Sequence, residues 1–430
     1  MVAGRAFPVQ GGYAPAARPL SAQSLGLALT WLTLASSSVV FAEPAPYDAL
    51  MIGLIALLPL LGLVTFSKGL ILFLAAWLVI GATGLIAAGR SGMLDVSVRH
   101  TAITIFLSIS AVLVAAFVRK NPERHTRIIV SGLLFASLLA VLTGAAGYFD
   151  MVPGANELFT KYGRMRGTFK DPNVFGPFIV PALLYCVHSM ATAKAGRAIM
   201  MSLLAGLFCL GLLVSFSRGA WFNAGVALLV YAYMMFVVAR SNLFRVKFLM
   251  LAVFAACCAV LVLAAAMQIE SIGDLVRERA SLTLSYDTGP EGRFGGQLLA
   301  LETIASHPMG IGAREFARIL HGQDVHNVYL SMFLNAGWIG GFVYLTAVLA
   351  TLAAGFRYAL RANPMQGIFI VMLAAFAGLA AEGMIVDTDH WRHFYVIMGL
   401  IWGLMLSNPP HGRPGPCTGA GICSRSSRGL

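Results

Sequence analysis

Long apolar runs separated by short polar connections occupy most of this 430-residue chain. A helix needs about 20 consecutive apolar residues to cross the hydrocarbon core of a bilayer, and about twelve runs approach that length. Only 11% of the residues are charged, less than half of the share of about 25% found in soluble globular proteins. The sequence therefore excludes a disordered chain, a coiled coil and an ordinary soluble enzyme, and it predicts an all-α, polytopic membrane protein. The predicted spans are 20–41, 50–67, 69–88, 101–118, 128–148, 174–192, 198–215, 220–239, 248–267, 327–355, 365–386 and 394–407.

These spans divide the chain into five parts. They are a cytoplasmic N-terminal segment (1–19), transmembrane helices 1–9 (20–267), a moderately long extracytoplasmic loop with short amphipathic helices (268–325), transmembrane helices 10–12 (326–407) and a disordered cytoplasmic tail (408–430). The first span ends in small residues near Ala42, which is also typical of a cleaved signal peptide. We favour an uncleaved first helix, because its apolar stretch is long for a signal peptide.

The distribution of basic residues predicts the orientation of the chain. Cytoplasmic connections are enriched in Lys and Arg. If the N-terminus is cytoplasmic, every inner connection carries at least one basic residue, and Glu123 is the only acid among them. Both termini should then be cytoplasmic, and the net charge of +12 reflects membrane topology rather than nucleic-acid binding.

A basic segment precedes the sixth span on the predicted outer face. It contains Arg164, Arg166 and Lys170, and either Asp171 or Asn173 can cap the following helix. Arginines beside a helix N-terminus favour phosphate binding. The alternative is a solvated basic loop with a helix cap.

Three further outer positions are candidates for chemistry. Arg218 is the only charged residue between Ala198 and Ala239, and a snorkelling arginine is the alternative explanation. Arg293 begins a predicted amphipathic helix in the long loop. His326 follows Asp324, a plausible N-cap, so it should lie in a first helical turn. That position favours the neutral imidazole.

A late group of acids and imidazoles includes Glu382, Asp387 and Asp389. Glu382 is the only acid deep in a predicted span, which makes it a functional candidate. The alternative for Glu382 is a buried hydrogen-bonded pair with an arginine nearby. Cys417 and Cys423 lie in the tail with a spacing that matches no zinc pattern. We therefore predict no metal site.

The order of these motifs resembles the O-antigen ligase and O-antigen polymerase superfamily of bacterial membrane glycosyltransferases. The resemblance rests on Arg-x-Arg-Gly-Thr-Phe-x-x-Pro-Asn from Arg164, Ser-Arg-Gly at Arg218, a Gly-x-Arg motif at Arg293, Pro-x-Gly-x-Gly from Pro308, and His-Asn-x-Tyr from His326. At Arg293 the sequence reads Glu291-Gly292-Arg293, so Glu291 occupies the glycine position of that motif. The matching core runs from about Arg164 to Gly341.

The resemblance implies an enzyme of the bacterial inner membrane that needs no cofactor or metal. Such an enzyme transfers an undecaprenyl-diphosphate-linked glycan to a glycan or lipid acceptor on the extracytoplasmic face, among membrane lipids and other polysaccharide-assembly proteins. The implied catalytic residues are His326, Arg218 and Arg293. The implied substrate-binding residues are Arg164, Arg166, Lys170, Asn173, Asn327, Asp387 and Asp389, and either of the two aspartates matches the acidic residue of the family.

Two other classes are weaker alternatives. A transporter of a lipid-linked glycan or small molecule would concentrate polar groups near the bilayer midplane, whereas here the candidates lie at helix ends. An intramembrane protease would need a Gly-x-Ser-Gly nucleophile segment, which the sequence lacks. Within the family, ligase and polymerase remain open alternatives.

Overall fold

A computed structural model describes residues 21–239, 241–246, 248–250, 264, 267–268, 289 and 292–407. The predicted N-terminal segment, most of the ninth span, the first part of the extracytoplasmic loop and the C-terminal tail lie outside the described residues. The described helices are α1 (Ala22–Ala35), α2 (Pro46–Leu60), α3 (Lys68–Ala88), α4 (Leu94–Lys120), α5 (Pro122–Tyr148), α6 (Ala155–Phe159), α7 (Pro172–Thr192), α8 (Ala195–Val214), α9 (Arg218–Val238), α10 (Arg293–Ser306), α11 (Val328–Ala359), α12 (Gln366–Glu382) and α13 (Arg392–Ser407). A short antiparallel hairpin of β1 (Thr160–Lys161) and β2 (Arg164–Met165) precedes α7.

The prediction of an all-α, polytopic membrane protein is confirmed. Among the described residues, seven helices are long and apolar enough to cross a membrane, namely α3, α4, α5, α7, α8, α9 and α11. Helices α2, α12 and α13 are apolar but shorter. The predicted first span corresponds to α1, which a 3₁₀ turn over Ser36–Ser38 extends.

Local sequence signals explain where these helices begin. Ser67 caps α3 and Ser217 caps α9 through side chains that accept backbone N–H groups of the first turn. Of the two caps considered for α7, Asp171 is the one observed, and Pro172 occupies the first helical position. The polar residues between the apolar runs therefore end and restart helices, which produces the alternating bundle.

The centre of the bundle is formed by α12 and α13, whose side chains are almost all buried. Helix α13 packs against α4, and α12 packs against α9. A side chain at Gly399 or Gly403 would collide with the α4 backbone near Ala111 and Ala115. Small residues thus bring the helices into close contact, as is common in membranes, where packing rather than water exclusion drives helix association.

The Pro308-x-Gly310-x-Gly312 segment packs into a kink of α11. Gly337 has φ 66°, which breaks the helix there. The amide of Trp338 donates to Pro308 O, while the amides of Ile311 and Gly312 donate to Leu334 O. A side chain on Gly310 would meet the backbone at Leu334 and Gly337. These glycines therefore serve close backbone packing.

One end of the bundle, which we call the site end, contains the starts of α7, α9, α10, α11 and α13 and the ends of α8 and α12. The amide of Val328 donates to Gly383 O at 2.8 Å, joining α11 to α12. Arg392 makes a bidentate pair with Asp48 at 2.8 and 2.7 Å, joining α13 to α2. The opposite end carries the Lys- and Arg-containing connections, such as the one at Arg119 and Lys120.

Candidate active site

Arg164 is a buried residue that joins three parts of the site end. Its Nε donates to Ser215 O at 2.8 Å, and its Nη2 donates to Asn173 Oδ1 at 2.8 Å. Ser215 ends α8, and Asn173 lies in the first turn of α7. Arg164 thereby holds the α8–α9 turn, and with it Arg218, against the start of α7.

The side chains of Arg166 and Lys170 point to other parts of the protein. Arg166 donates to the carbonyls of Glu157 and Leu158 at 3.3 and 3.1 Å. Lys170 lies 3.4 Å from Glu43 and is exposed. The structure therefore brings Arg164 and Asn173 next to the Arg218 turn, but it places the Lys170 side chain toward the α1–α2 connection.

Arg218 is the first residue of α9. The following Gly219 lies against the end of α12, because a Cβ there would be 2.7 Å from Glu382 Oε1 and 3.4 Å from Val386 Cγ2. Glu382 is fully buried, and its Oε2 accepts a hydrogen bond of 2.8 Å from Asn223. Glu382 thus forms a buried hydrogen-bonded pair with an amide, and the contact with Gly219 sets Arg218 beside the segment that carries Asp387.

His326 lies immediately before α11 in a left-handed conformation, with φ 52°. Such a conformation is uncommon for a residue with a side chain and has to be held by its surroundings. Asp387 Oδ2 accepts the backbone N–H of His326 at 3.1 Å. The late acidic residue therefore fixes the backbone of the candidate base.

The expected cap of this helix was wrong. Asn327, rather than Asp324, is the N-cap of α11, and its Oδ1 accepts from the amides of Tyr329 and Leu330 at 3.1 and 3.2 Å. Asp324 instead pairs with Arg314. The physical reason is that the left-handed turn at His326 separates Asp324 from the first helical amides, so that His326 precedes the first turn.

The Asp387 carboxylate links the backbone and the ring of His326. Its Oδ1 accepts a hydrogen bond of 2.6 Å from Ser331, one turn into α11. Its Oδ2 lies 3.8 Å from His326 Nδ1, which is too long for a direct hydrogen bond but close enough for an ionic interaction once the ring is protonated. Hydrogen bonds of a catalytic pair often shorten only when substrate binds.

Arg293 begins α10, a helix that contacts His326. One turn later, Gln297 Nε2 contacts His326 O at 3.5 Å. Burial, followed by the positive charge of Arg293, lowers the pKa of His326 below its ordinary value. Helix α10 leaves Leu298 and Leu301 exposed, as in a helix that lies on a membrane surface.

The pKa of Asp387 moves in the opposite direction. Burial, and next the charge of Asp389, raises it to about 6. At neutral pH the imidazole of His326 is therefore uncharged, and the carboxylate of Asp387 is mostly ionised. This is the combination that a general base and its orienting carboxylate require.

Asp389 is buried and belongs to a separate group with the partly exposed His100 and His390. Its Oδ2 lies 3.2 Å from His100 Nε2 and 3.8 Å from His390 Nε2. Burial would raise the pKa of Asp389, but the two imidazoles outweigh it and lower the pKa. The three ligand atoms lie within 4.8 Å of one another, so among the described residues this group could hold a metal ion.

A cavity of about 150 Å³ lies between these two aspartates. It is bordered by α4, by the connection before α11, by the first turns of α11 and by the segment between α12 and α13. The lining residues are His100, Arg314, Phe316, Asp324, Val325, Ser331, Leu334, Asn335, Asp387, Asp389, His390 and Trp391.

The chain matches a known protein family over part of its length. Residues 203–345 match the family model described as O-antigen ligase. This match, which covers about a third of the chain, supports the resemblance to the O-antigen ligase and polymerase superfamily. The matched region includes Arg218, Arg293 and His326, whereas Asp387 and Asp389 lie beyond it. No curated protein is significantly similar to the chain.

Sequence reasoning missed part of the site. His100, Ser331 and Asn335 border the cavity, yet none was singled out as a candidate. His100 directly precedes the predicted fourth span, so its position at a helix start on the predicted outer face was an available signal. Ser331 and Asn335 lie four residues apart in α11 and share one helical face with Asn327, which was also readable.

Proposed function

We propose that this protein is a membrane glycosyltransferase that moves an undecaprenyl-diphosphate-linked glycan to an acceptor hydroxyl during assembly of a surface polysaccharide, such as O-antigen or exopolysaccharide. One observation carries the proposal. His326 lies 3.8 Å from Asp387 Oδ2 and contacts, through Gln297, the helix that Arg293 begins, at the bundle end where Arg218 begins α9.

Arg218 and Arg293 are the proposed donor-binding residues. Their guanidinium groups stay charged and can donate two parallel hydrogen bonds to phosphate oxygens. As the glycosyl bond breaks, negative charge develops on the leaving diphosphate. Positive charge fixed in a site with little water can then lower the barrier by several kcal/mol. Arg164 supports this arrangement by holding the turn before Arg218.

His326 is the proposed general base. The acceptor hydroxyl oxygen forms a bond to the anomeric carbon of the donor glycan, while the bond from that carbon to the diphosphate oxygen breaks. The bonding electrons leave with undecaprenyl diphosphate, and the hydroxyl proton passes to the neutral imidazole. Asp387 orients the ring and stabilises the resulting imidazolium. Such proton transfer typically contributes 10²–10⁴-fold to a rate.

This chemistry requires neither a metal nor a nucleotide sugar. The arginines supply the positive charge that a divalent cation would otherwise provide. The residues that could bind a metal, His100, Asp389 and His390, form a group around Asp389, whereas the carboxylate beside His326 belongs to Asp387. We further propose that the site end faces the extracytoplasmic side of a bacterial inner membrane, with both termini in the cytoplasm. The basic residues at the opposite end support that orientation.

Reconstitution tests this function. The full-length protein in nanodiscs, given an undecaprenyl-diphosphate-linked glycan, an acceptor and EDTA, should release undecaprenyl diphosphate and increase the acceptor mass by the glycan. Arg197→Ala, at the opposite end of the bundle, is a matched control for arginine substitutions at the site. Movement of intact donor across proteoliposomes without transfer would instead indicate a transporter.

A deletion strain separates the two activities of the superfamily. Loss of a polymerase should leave surface glycan with one repeat. Loss of a ligase should leave the acceptor bare while long lipid-linked chains accumulate. The lipid-linked donor and a glycan or lipid acceptor are the proposed partners in either case.

A further inference from the structure

We propose that the cavity between Asp387 and Asp389 binds one sugar ring of the acceptor, as a subsite separate from the arginines that hold the donor. The inference rests on the proposed transferase function and adds to it the location and chemical class of the second substrate. It identifies Asn335 and Trp391 as residues that determine acceptor binding.

The lining of the cavity favours a neutral polyol over a phosphate. Asp387 and Asp389 present carboxylate oxygens, which accept hydrogen bonds from hydroxyl groups and repel anions. The only arginine in the lining, Arg314, is paired with Asp324. Arg218 and Arg293 are not among the lining residues. The two substrates are therefore separated by charge, with the diphosphate near the arginines and the sugar among the acids.

Asn335 offers a hydrogen-bonding group to a ligand. It lies one turn after Ser331 on α11 and borders the cavity. Its side chain makes no hydrogen bond within the described part of the chain. An amide can donate and accept simultaneously, which suits the hydroxyl groups of a sugar.

The size and one wall of the cavity also fit a sugar ring. Its volume is about 150 Å³, equivalent to about five water molecules at about 30 Å³ each. That space suits a single ring. Trp391 borders the cavity and packs against His393, with ring centroids 5.4 Å apart. Binding sites commonly combine such an aromatic wall with a few oriented polar groups.

The position of Asp387 connects the cavity to the reaction. Its carboxylate borders the cavity, and its Oδ2 lies 3.8 Å from His326 Nδ1. A sugar hydroxyl bound beside Asp387 is therefore close to the proposed base. Arg293 approaches His326 from α10, so donor and acceptor would meet at the imidazole from different sides.

Saturation-transfer NMR on the full-length protein in nanodiscs tests sugar binding without any donor. The probes are methyl glycosides of common hexoses, and inorganic pyrophosphate is the competitor. We expect saturable binding of at least one glycoside, unaffected by pyrophosphate. Asn335→Ala should weaken that binding roughly 2- to 10-fold, as expected for one lost hydrogen bond. Gln323→Ala, at an exposed position outside the lining, is the matched control.

A transfer assay provides the second readout. Asn335→Ala and Trp391→Phe should raise KM for the acceptor and leave KM for the lipid-linked donor unchanged. Equal binding by wild type and Asn335→Ala, competition by pyrophosphate, or no binding of any glycoside would overturn the subsite. Sugar binding that behaves as expected in a protein that transfers no glycan would instead overturn the proposed function and leave the sugar site intact.

Discussion

Two pairs of arginines in this protein have different surroundings. The group before α7 contains Arg164 and Arg166, whose guanidinium groups donate to backbone carbonyls at Ser215, Glu157 and Leu158. The second group consists of Arg218 and Arg293, each the first residue of a helix at the site end, and Arg293 acts electrostatically on His326.

A basic motif can therefore stabilise the fold rather than form a ligand-binding surface. A guanidinium group that donates hydrogen bonds to backbone carbonyls stabilises a turn, because carbonyls without a hydrogen-bond donor in an apolar environment are costly. A guanidinium group next to an imidazole instead alters the chemistry of that ring. Substitutions should therefore separate the two groups by their effects on rate and on stability.

The largest effect should come from His326→Ala. Loss of the proposed general base should lower kcat by about 10²–10⁴-fold, with little change in melting temperature, because Asn327 still caps α11. Transfer kinetics on the full-length protein measure the loss. His307→Ala is a control at an exposed position, and a decrease of less than tenfold in His326→Ala would remove the imidazole from the mechanism.

The next largest effect should come from the second basic group. Arg218→Ala and Arg293→Ala should each lower kcat by about 10²–10³-fold, which is the usual cost of removing one group that stabilises transition-state charge. Lysine at either position should restore only part of the rate, because it retains the charge and loses the bidentate geometry. Full activity in both alanine variants would exclude the proposed diphosphate site.

The fold was largely readable from the sequence, since apolar run length and capping residues determine membrane helices directly. Asp171, Ser217 and the basic residues at the opposite end illustrate this. The kink and the turn that interrupt the helical backbone were harder to predict from the sequence. The kink at Gly337 depends on the insertion of Pro308 and Gly310, and the left-handed turn at His326 depends on Asp387. Both contacts join segments that are distant in sequence.

The choice between Asp387 and Asp389 could not be made from the sequence for the same reason. The two residues are separated by one position, yet their side chains have different partners. Asp387 contacts Ser331 and the backbone of His326, whereas Asp389 contacts His100, almost 290 positions earlier. Only the packing of α4 against the α12–α13 connection distinguishes them.

A smaller effect is expected from Asp387→Asn, and it should depend on pH. In the wild type, kcat should fall as the pH drops below about 6, because Asp387, whose pKa is raised to about 6, and His326 then take up protons. The deprotonated forms are the active ones, so activity is lost on the acid side. The asparagine variant should lose about tenfold at neutral pH.

The fall of kcat at low pH, which is the acid limb of the pH profile, distinguishes a titrating Asp387 from an Asp387 with a purely structural role. Without the carboxylate, the limb should move to lower pH, because the remaining group, His326, has a pKa below its ordinary value and has lost a negative neighbour. A pH–kcat profile of both proteins measures the shift. An unchanged limb would show that Asp387 does not titrate in the reaction.

The smallest effect on kcat should come from Lys170→Ala. Arg164→Ala is its comparison, because that substitution should affect stability. Lys170 is exposed and pairs with Glu43 at 3.4 Å, a kind of interaction worth about 0–1 kcal/mol, so kcat should change less than about twofold. Arg164→Ala leaves Ser215 O without its buried donor, at a cost of about 1–3 kcal/mol, and should lower the melting temperature. If Lys170→Ala instead reduced donor affinity as strongly as Arg218→Ala does, the segment before α7 would bind substrate directly, and the distinction between supporting and reacting basic groups would fail there.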